Sequence, residues 1–236
     1  MQNAYLHDQE VSILHQRRAE TFDGSRPGPV NMDPLHGVYD WFKKKGVPPF
    51  FRPSQIRDFG LTPAHLVSLI RCGAVERICR GMYHLASEGR GQNYLLAVAC
   101  ARCPESIVCL HSALQLHGIG SREPAEVWLA IPHRHRAPRL SAMPMRIVRF
   151  KPVAWTFRVT ETEIEGVSAR ITSPARTVAD CFRLARQAGD DAGIRAFRDA
   201  LSRRLVTLEE LIRIETALPC RRLRALLATY AEGLTG

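Results

Sequence analysis

LTPAHLVSLIRCGAVERICRGMYHL, residues 61–85, changes its hydrophobic period halfway along. Up to Arg71 the apolar residues Leu66, Leu69 and Ile70 recur at spacings of three and four, which predicts a helix with one apolar face. Thr62 followed by Pro63 is a cap-then-proline start, and Gly73 is a stop. Beyond Gly73, Ala74–Cys79 and Met82–Leu85 flank Arg80 and Gly81, the pattern of a two-stranded ribbon closed by a tight glycine turn.

Upstream, Asp33 and Pro34 repeat the helix-start signal ahead of Leu35, Val38, Tyr39 and Phe42 at helical spacing. Gly46-Val47-Pro48-Pro49 breaks that helix, and Phe50-Phe51 is a short extended piece. Pro53–Asp58 begins a second, short helix that Gly60 closes. Helix, short helix, helix, ribbon is the element order of a winged helix-turn-helix, here over residues 33–86.

A helix that reads DNA buries one face in its own domain and offers short or basic side chains to the major groove. With Leu66, Leu69 and Ile70 turned inward, Ala64, His65, Ser68 and Arg71 form the expected groove-facing set. Thr62 caps the helix start, an end that also suits a phosphate. Arg77 and Arg80 stand on the ribbon, where a wing meets the DNA backbone or minor groove, and Tyr83 either packs beneath it or donates to a phosphate. The same residues also describe a capped surface helix beside an ordinary hairpin; agreement of pattern, glycine positions and charge favours DNA. Lys43, Lys44 and Lys45 complement a helix C-terminus, which accounts for them without a phosphate contact.

The 236 residues carry a net charge of +10, which suggests an anionic partner. The excess is uneven. Residues 33–90 hold nine Lys and Arg against five Asp and Glu, residues 122–158 hold eight against two, and residues 159–236 hold twelve against eleven. No apolar run approaches the roughly 20 residues of a membrane helix, and no apolar signal core follows a basic start, so membrane association is not expected and the cytoplasm is the expected compartment. The seven cysteines are odd in number and sit mostly in apolar segments, as reduced thiols do.

Downstream, residues 91–103 read as a helix, Ile107–Leu110 as a strand and Ser112–His117 as a short helix. Strands are expected at Val127–Ile131, Arg146–Phe150 and Thr156–Val159, then a hairpin turning at Ile164–Val167 with Ala169–Ile171 in its second strand. Helices follow at about 174–187, 191–203, 207–217 and 220–232. The expected fold class is therefore α+β: a leader at 1–32, a winged helix-turn-helix at 33–90, and a mixed α/β domain at 91–236 ending in a helical segment from about 174 to 232.

Three constellations carry other chemistries. Cys100, Cys103, Cys109 and His111 have spacing that suggests zinc, but their apolar setting favours buried thiols. Arg134, Arg136, Arg139, Arg146, Arg149 and Lys151 form a second basic patch, read either as a solvated loop or as a further anionic contact. Arg176 and Asp180, four apart on a helix, suit a structural pair better than catalysis. A nuclease would bring carboxylates beside a lysine. Glu161, Glu163 and Glu165 alternate along a strand, yet Lys151 has no carboxylate near it in sequence. No HExxH, GxSxG or phosphate-cradling glycine loop is present, so no catalytic residue, metal or cofactor is expected and an enzyme is disfavoured. The leucines of the last third, among them Leu208, Leu211, Leu223 and Leu227, fit a helical core and leave open a protein-interaction module.

Residues 61–85 with their closing CRGMYHL, LHSALQLHGI at 110–119 and ITSPARTVADCF at 171–182 resemble, in that order, the AbiEi-type antitoxins of type IV toxin–antitoxin systems. The resemblance spans about residues 33–230. It implies a prokaryotic transcriptional regulator that binds double-stranded promoter DNA and represses it, with a C-terminal domain that counters a nucleotidyltransferase-like toxin. Relatives without a toxin imply the alternative of a stand-alone regulator.

Overall fold

The computed structural model describes residues 34–86, 91–120, 124–138 and 143–232, with side chains from Val38 onward. The expected leader at 1–32 and Arg139 lie outside the described residues. Helices and sheets are mixed along the chain, an α+β fold. Two compact units result, one running to Gln92 and including Glu165–Val167, the other holding the rest. Among the described residues no helix is long and apolar enough to cross a membrane.

The first unit contains α1 (Pro34–Lys45), β1 (Phe50–Phe51), a 3-10 turn at Gln55–Arg57, α2 (Pro63–Arg71), β2 (Val75–Cys79) and β3 (Met82–Leu85). Its sheet has the order β1-β3-β2, antiparallel at both junctions. Phe42 of α1, Phe51 of β1, Ile56 of the turn, Leu66 and Leu69 of α2, and Leu85 of β3 converge on one core. Each contributes about 1.5–3 kcal/mol of apolar burial. Gly60 and Gly73 both take φ of 79°, the left-handed conformation that ends a helical turn without a Cβ clash. The period change at Gly73 is thus a real change of direction.

One detail of α2 differs from the sequence expectation. Leu66 and Leu69 are buried, but Ile70 is 36% exposed and Val67 is 48% exposed. The buried direction bisects Leu66 and Leu69, which at 100° per residue leaves Ile70 about 70° to one side and Val67 about 130° away. Ile70 therefore lies on the flank of the helix.

The remaining elements are α3 (Tyr94–Arg102), β4 (Ile107–Val108), α4 (Leu110–Leu116), β5 (Val127–Pro132), β6 (Met145–Phe150), α5 (Pro152–Thr156), β7 (Val159–Ile164), β8 (Val167–Thr172), α6 (Pro174–Arg183), α7 (Ala185–Ala188), α8 (Ala192–Ser202), α9 (Leu208–Ala217) and α10 (Arg221–Glu232). The strands form a sheet of order β6-β5-β4-β8-β7. β4 runs antiparallel to β5 and parallel to β8, and β5 pairs in parallel with β6 from Val127↔Met145 to Pro132↔Phe150. Leu110, Val178, Phe197, Leu211 and Leu223, from five different helices, are fully buried in one core with Trp128 and Phe150. The leucines of the last third that reach this core are packing residues.

The strand expected at Thr156–Val159 is corrected. Pro152 occupies the first position of α5 after the extended Lys151, and Arg158, at φ 51°, separates that helix from β7. Thr156, Phe157 and Val159 read as strand by side-chain type, but a proline at a helix start prevails locally. The helix expected at 174–187 is also two, because Leu184 leaves helical geometry between α6 and α7. The β7–β8 turn holds Glu165 at φ 48° and Gly166 at φ 81°, both left-handed, as a two-residue type I′ hairpin requires.

Candidate nucleic-acid interface

The geometry of α2 begins with its cap. Thr62 is extended, its Oγ1 accepts from the His65 backbone N–H at 3.3 Å, and His65 Nδ1 accepts from the Thr62 N–H at 3.3 Å. This is a reciprocal capping box in which histidine replaces the usual Glu or Gln. His65 is half-buried and engaged at the helix start. Opposite the buried Leu66 and Leu69, the exposed residues are Ala64, Val67, Ser68 and Arg71, spaced i, i+3, i+4 and i+7. Val67 is the residue that sequence reasoning missed. Within the stripe, Ser68 Oγ donates to the Ala64 carbonyl at 3.3 Å, which occupies its proton and leaves it an acceptor.

On the ribbon, Arg77 lies directly across from Tyr83, and the register shifts between Arg77 and Cys79. Such a bulge sharpens the twist of a two-stranded ribbon. The Tyr83 ring stacks on Phe51 with centroids 5.9 Å apart and packs at the edge of the core. Arg77 is exposed beside it, and Arg80 is exposed at the turn made by Gly81 at φ 78°. Among the described residues, Arg71, Arg77 and Arg80 enter no ion pair. Lys43, Lys44 and Lys45 are exposed in the last turn of α1.

In the second unit one residue of the basic patch meets an acid. Arg146 donates to Glu126 at 2.7 Å, so one of its charges is matched by an acid twenty residues upstream. Arg134, Arg136, Arg149 and Lys151 are exposed. Arg146 and Arg149 are an odd number of residues apart on β6 and so project from opposite faces of the sheet.

The two motif segments of this unit hold the frame together. Ser112 Oγ accepts from the Trp128 N–H at 2.9 Å, His111 Nε2 bonds to the Ala188 carbonyl at 2.8 Å and His117 Nε2 to the Thr172 carbonyl at 2.7 Å. Thr177 Oγ1 bonds to Thr172 Oγ1 at 2.7 Å, and Arg176 pairs with Asp180 at 2.8 Å, both wholly buried. These polar groups tie β5, β8 and the helices to one another. A cleft of about 970 Å³ in the same unit has His111, Leu114, Trp128 and Ala192 on its wall and Arg195 and Asp199 among its charged lining residues.

Lys151 follows β6 and Glu161 and Glu163 lie on β7, the two opposite edges of the five-stranded sheet. Four strand spacings separate those edges by about 19 Å, too far for a shared metal ion. All seven thiols are free, and burial pushes the Cys100 thiol up to about 12, with Cys103 adding to the shift. Burial likewise raises Cys109 and Cys181. Such thiols are protonated and unreactive at neutral pH.

Residues 44–86, from the end of α1 through the ribbon, match the model of the family described as transcriptional regulator, AbiEi antitoxin. No protein of curated function matches the chain significantly. Among solved structures, the crystal structure of the RV2827C protein from Mycobacterium tuberculosis is similar, with 16% identity and a TM-score of 0.53, covering 86% of this chain and 77% of that one. At that identity the likeness is one of fold.

Proposed function

From the match of residues 44–86 to AbiEi-type regulators, we propose that the first unit is a winged helix-turn-helix that binds double-stranded DNA and that the protein is a transcriptional regulator. The observation that carries this reading is the exposed stripe of Ala64, Val67, Ser68 and Arg71, set opposite a buried face and beside a ribbon bearing Arg77 and Arg80. A helix of this kind fits the major groove, and arginines free of ion pairs are available to phosphates. Thr62, at the capped N-terminus of α2, stands where a phosphate is accepted by a helix end.

In the fuller form of the proposal, the protein represses its own promoter in the cytoplasm and counters a nucleotidyltransferase-like toxin as the antitoxin of a type IV system. It does so without catalysis, a reading supported by the separation of Lys151 from Glu161 and Glu163. A stand-alone regulator is the second reading. It is favoured by the extent of the family match, which ends at residue 86 and leaves the second unit outside it.

The test is a shift assay of the full chain on duplex DNA from its own promoter region, with Arg71, Arg77 and Arg80 changed to Ala. Each phosphate contact removed lowers the slope of log affinity against log salt by about 0.9. A groove contact by Arg71 costs affinity at a particular base, worth about 1–3 kcal/mol. Unchanged affinity at moderate salt in the triple variant overturns the assignment.

A further inference from the structure

We infer that Val67 is a base-reading residue that recognises the C5-methyl group of a thymine; the inference rests on the DNA-binding reading of α2. Exposing 48% of a valine on a short helix has no packing return, and the side chain lies within the outward stripe, about 50° from its centre, on the side away from Ser68. Its stripe neighbours are Ala64, Ser68 and Arg71. Arg71 suits the O6 and N7 acceptors of guanine. Ser68 has its proton committed to the Ala64 carbonyl and so offers only an acceptor. Ala64 and Val67 offer methyl groups and nothing else. In the major groove the single apolar feature that distinguishes one base from the others is the thymine methyl. An apolar pair among arginines therefore has one chemical counterpart on DNA.

The basic residues flanking the stripe argue for this occupant over an apolar protein surface. Arg71 ends the stripe, and Arg77 and Arg80 follow it on the ribbon, all exposed and outside any ion pair among the described residues. A nonpolar partner would leave these charges to be desolvated, whereas DNA matches them. Val67 and Arg71 are one helical turn apart, about 6 Å along the axis, against a base-pair rise of 3.4 Å. The recognised thymine consequently lies within about two base-pair steps of the guanine read by Arg71.

The experiment uses the full chain. Duplexes that bind are selected from a random pool, and each thymine of the selected site is replaced in turn by deoxyuridine, which removes the methyl and keeps the pairing. At one position the change weakens wild-type binding about fourfold, the equivalent of one buried methyl group. The same change has no effect on Val67→Ala, whose substitution lies on an exposed helix surface. Insensitivity of the wild type to deoxyuridine at every position overturns the role of Val67 while DNA binding stands, as does full sensitivity retained by Val67→Ala. If no duplex is enriched at any salt concentration, the DNA-binding reading fails and this inference with it.

Discussion

Arg176 donates from Nε to Asp180 Oδ2 at 2.8 Å with both side chains fully buried, and its two terminal nitrogens reach the carbonyls of Phe157 at 2.5 Å and Ala154 at 3.0 Å. Those carbonyls lie in and just after α5, a helix of five residues whose last carbonyls have no partner within it. Arg176 thus fastens α5 to α6, and its charge is balanced by Asp180, which also accepts from Arg183. Burial pushes the Asp180 carboxyl up, and the two arginines pull it back. Arg176→Met leaves that carboxyl with one partner and orphans two carbonyls, and it is expected to cost about 3–5 kcal/mol in urea unfolding. The double variant Arg176→Met/Asp180→Leu is expected to regain the part due to the uncompensated carboxylate, while the loss from the two orphaned carbonyls persists. A single-variant loss below about 1 kcal/mol, as for an exposed pair, would contradict the assigned role.

Local signals in the sequence were enough to mark the ends of the helices in the first unit because those ends are set by backbone chemistry. Gly60 and Gly73 must end helical turns at positive φ, and Thr62-Pro63 must begin one. The residues that escaped notice are those whose role depends on partners distant in the chain or on an unusual local choice. Glu126 cannot be matched to Arg146 from spacing, since β5 and β6 become neighbours only in the folded sheet. Val67 was hidden by counting Ile70 as buried, which rotated the inferred outer face. The helix α5 is too short to display a period, and its β-branched and aromatic residues favour strand. The pairing of Arg176 with Asp180 was visible at i, i+4, but its carbonyl partners were not.

His65 offers a way to separate capping from DNA contact. Because its Nδ1 accepts from the Thr62 N–H, a glutamate at this position completes an ordinary capping box. His65→Glu should keep the stability of the unit within a few tenths of a kcal/mol, whereas Thr62→Ala should lose about 1 kcal/mol. The glutamate also adds a negative charge beside the exposed stripe, so DNA affinity should fall although the fold persists. Thermal unfolding and a shift assay on the same preparations check both halves. Equal DNA affinity in His65→Glu would mean that the start of α2 lies away from the DNA.

Stability should also carry a pH signature from His117. Burial lowers its pKa below the ordinary value of 6.5, and the bond to the Thr172 carbonyl opposes this only in part. The native state therefore binds fewer protons than the unfolded chain in the interval between the two pKa values, and stability falls as pH drops through 6.5. Below the native pKa the loss stops growing. His117→Gln can still donate to Thr172 but does not titrate, so its urea midpoint should vary less between about pH 7.5 and 5.5 than that of the wild type. Parallel pH profiles for the two proteins would remove His117 as the source.

The basic loop after β5 can be tested through the contrast between paired and unpaired charges. Arg146 is matched by Glu126 at 2.7 Å, while Arg134 and Arg136 are exposed and enter no ion pair among the described residues. If DNA extends over this surface, Arg134→Ala/Arg136→Ala should lower the salt slope of binding by about two without changing base preference, since phosphate contacts carry no sequence information. Arg146→Ala should leave the slope nearly unchanged, because forming a phosphate contact there requires breaking an existing pair. Equal slopes for wild type and the double variant would exclude Arg134 and Arg136 from the DNA contact. A drop in slope for Arg146→Ala as large as for Arg134→Ala alone would mean that the pair with Glu126 opens when DNA binds.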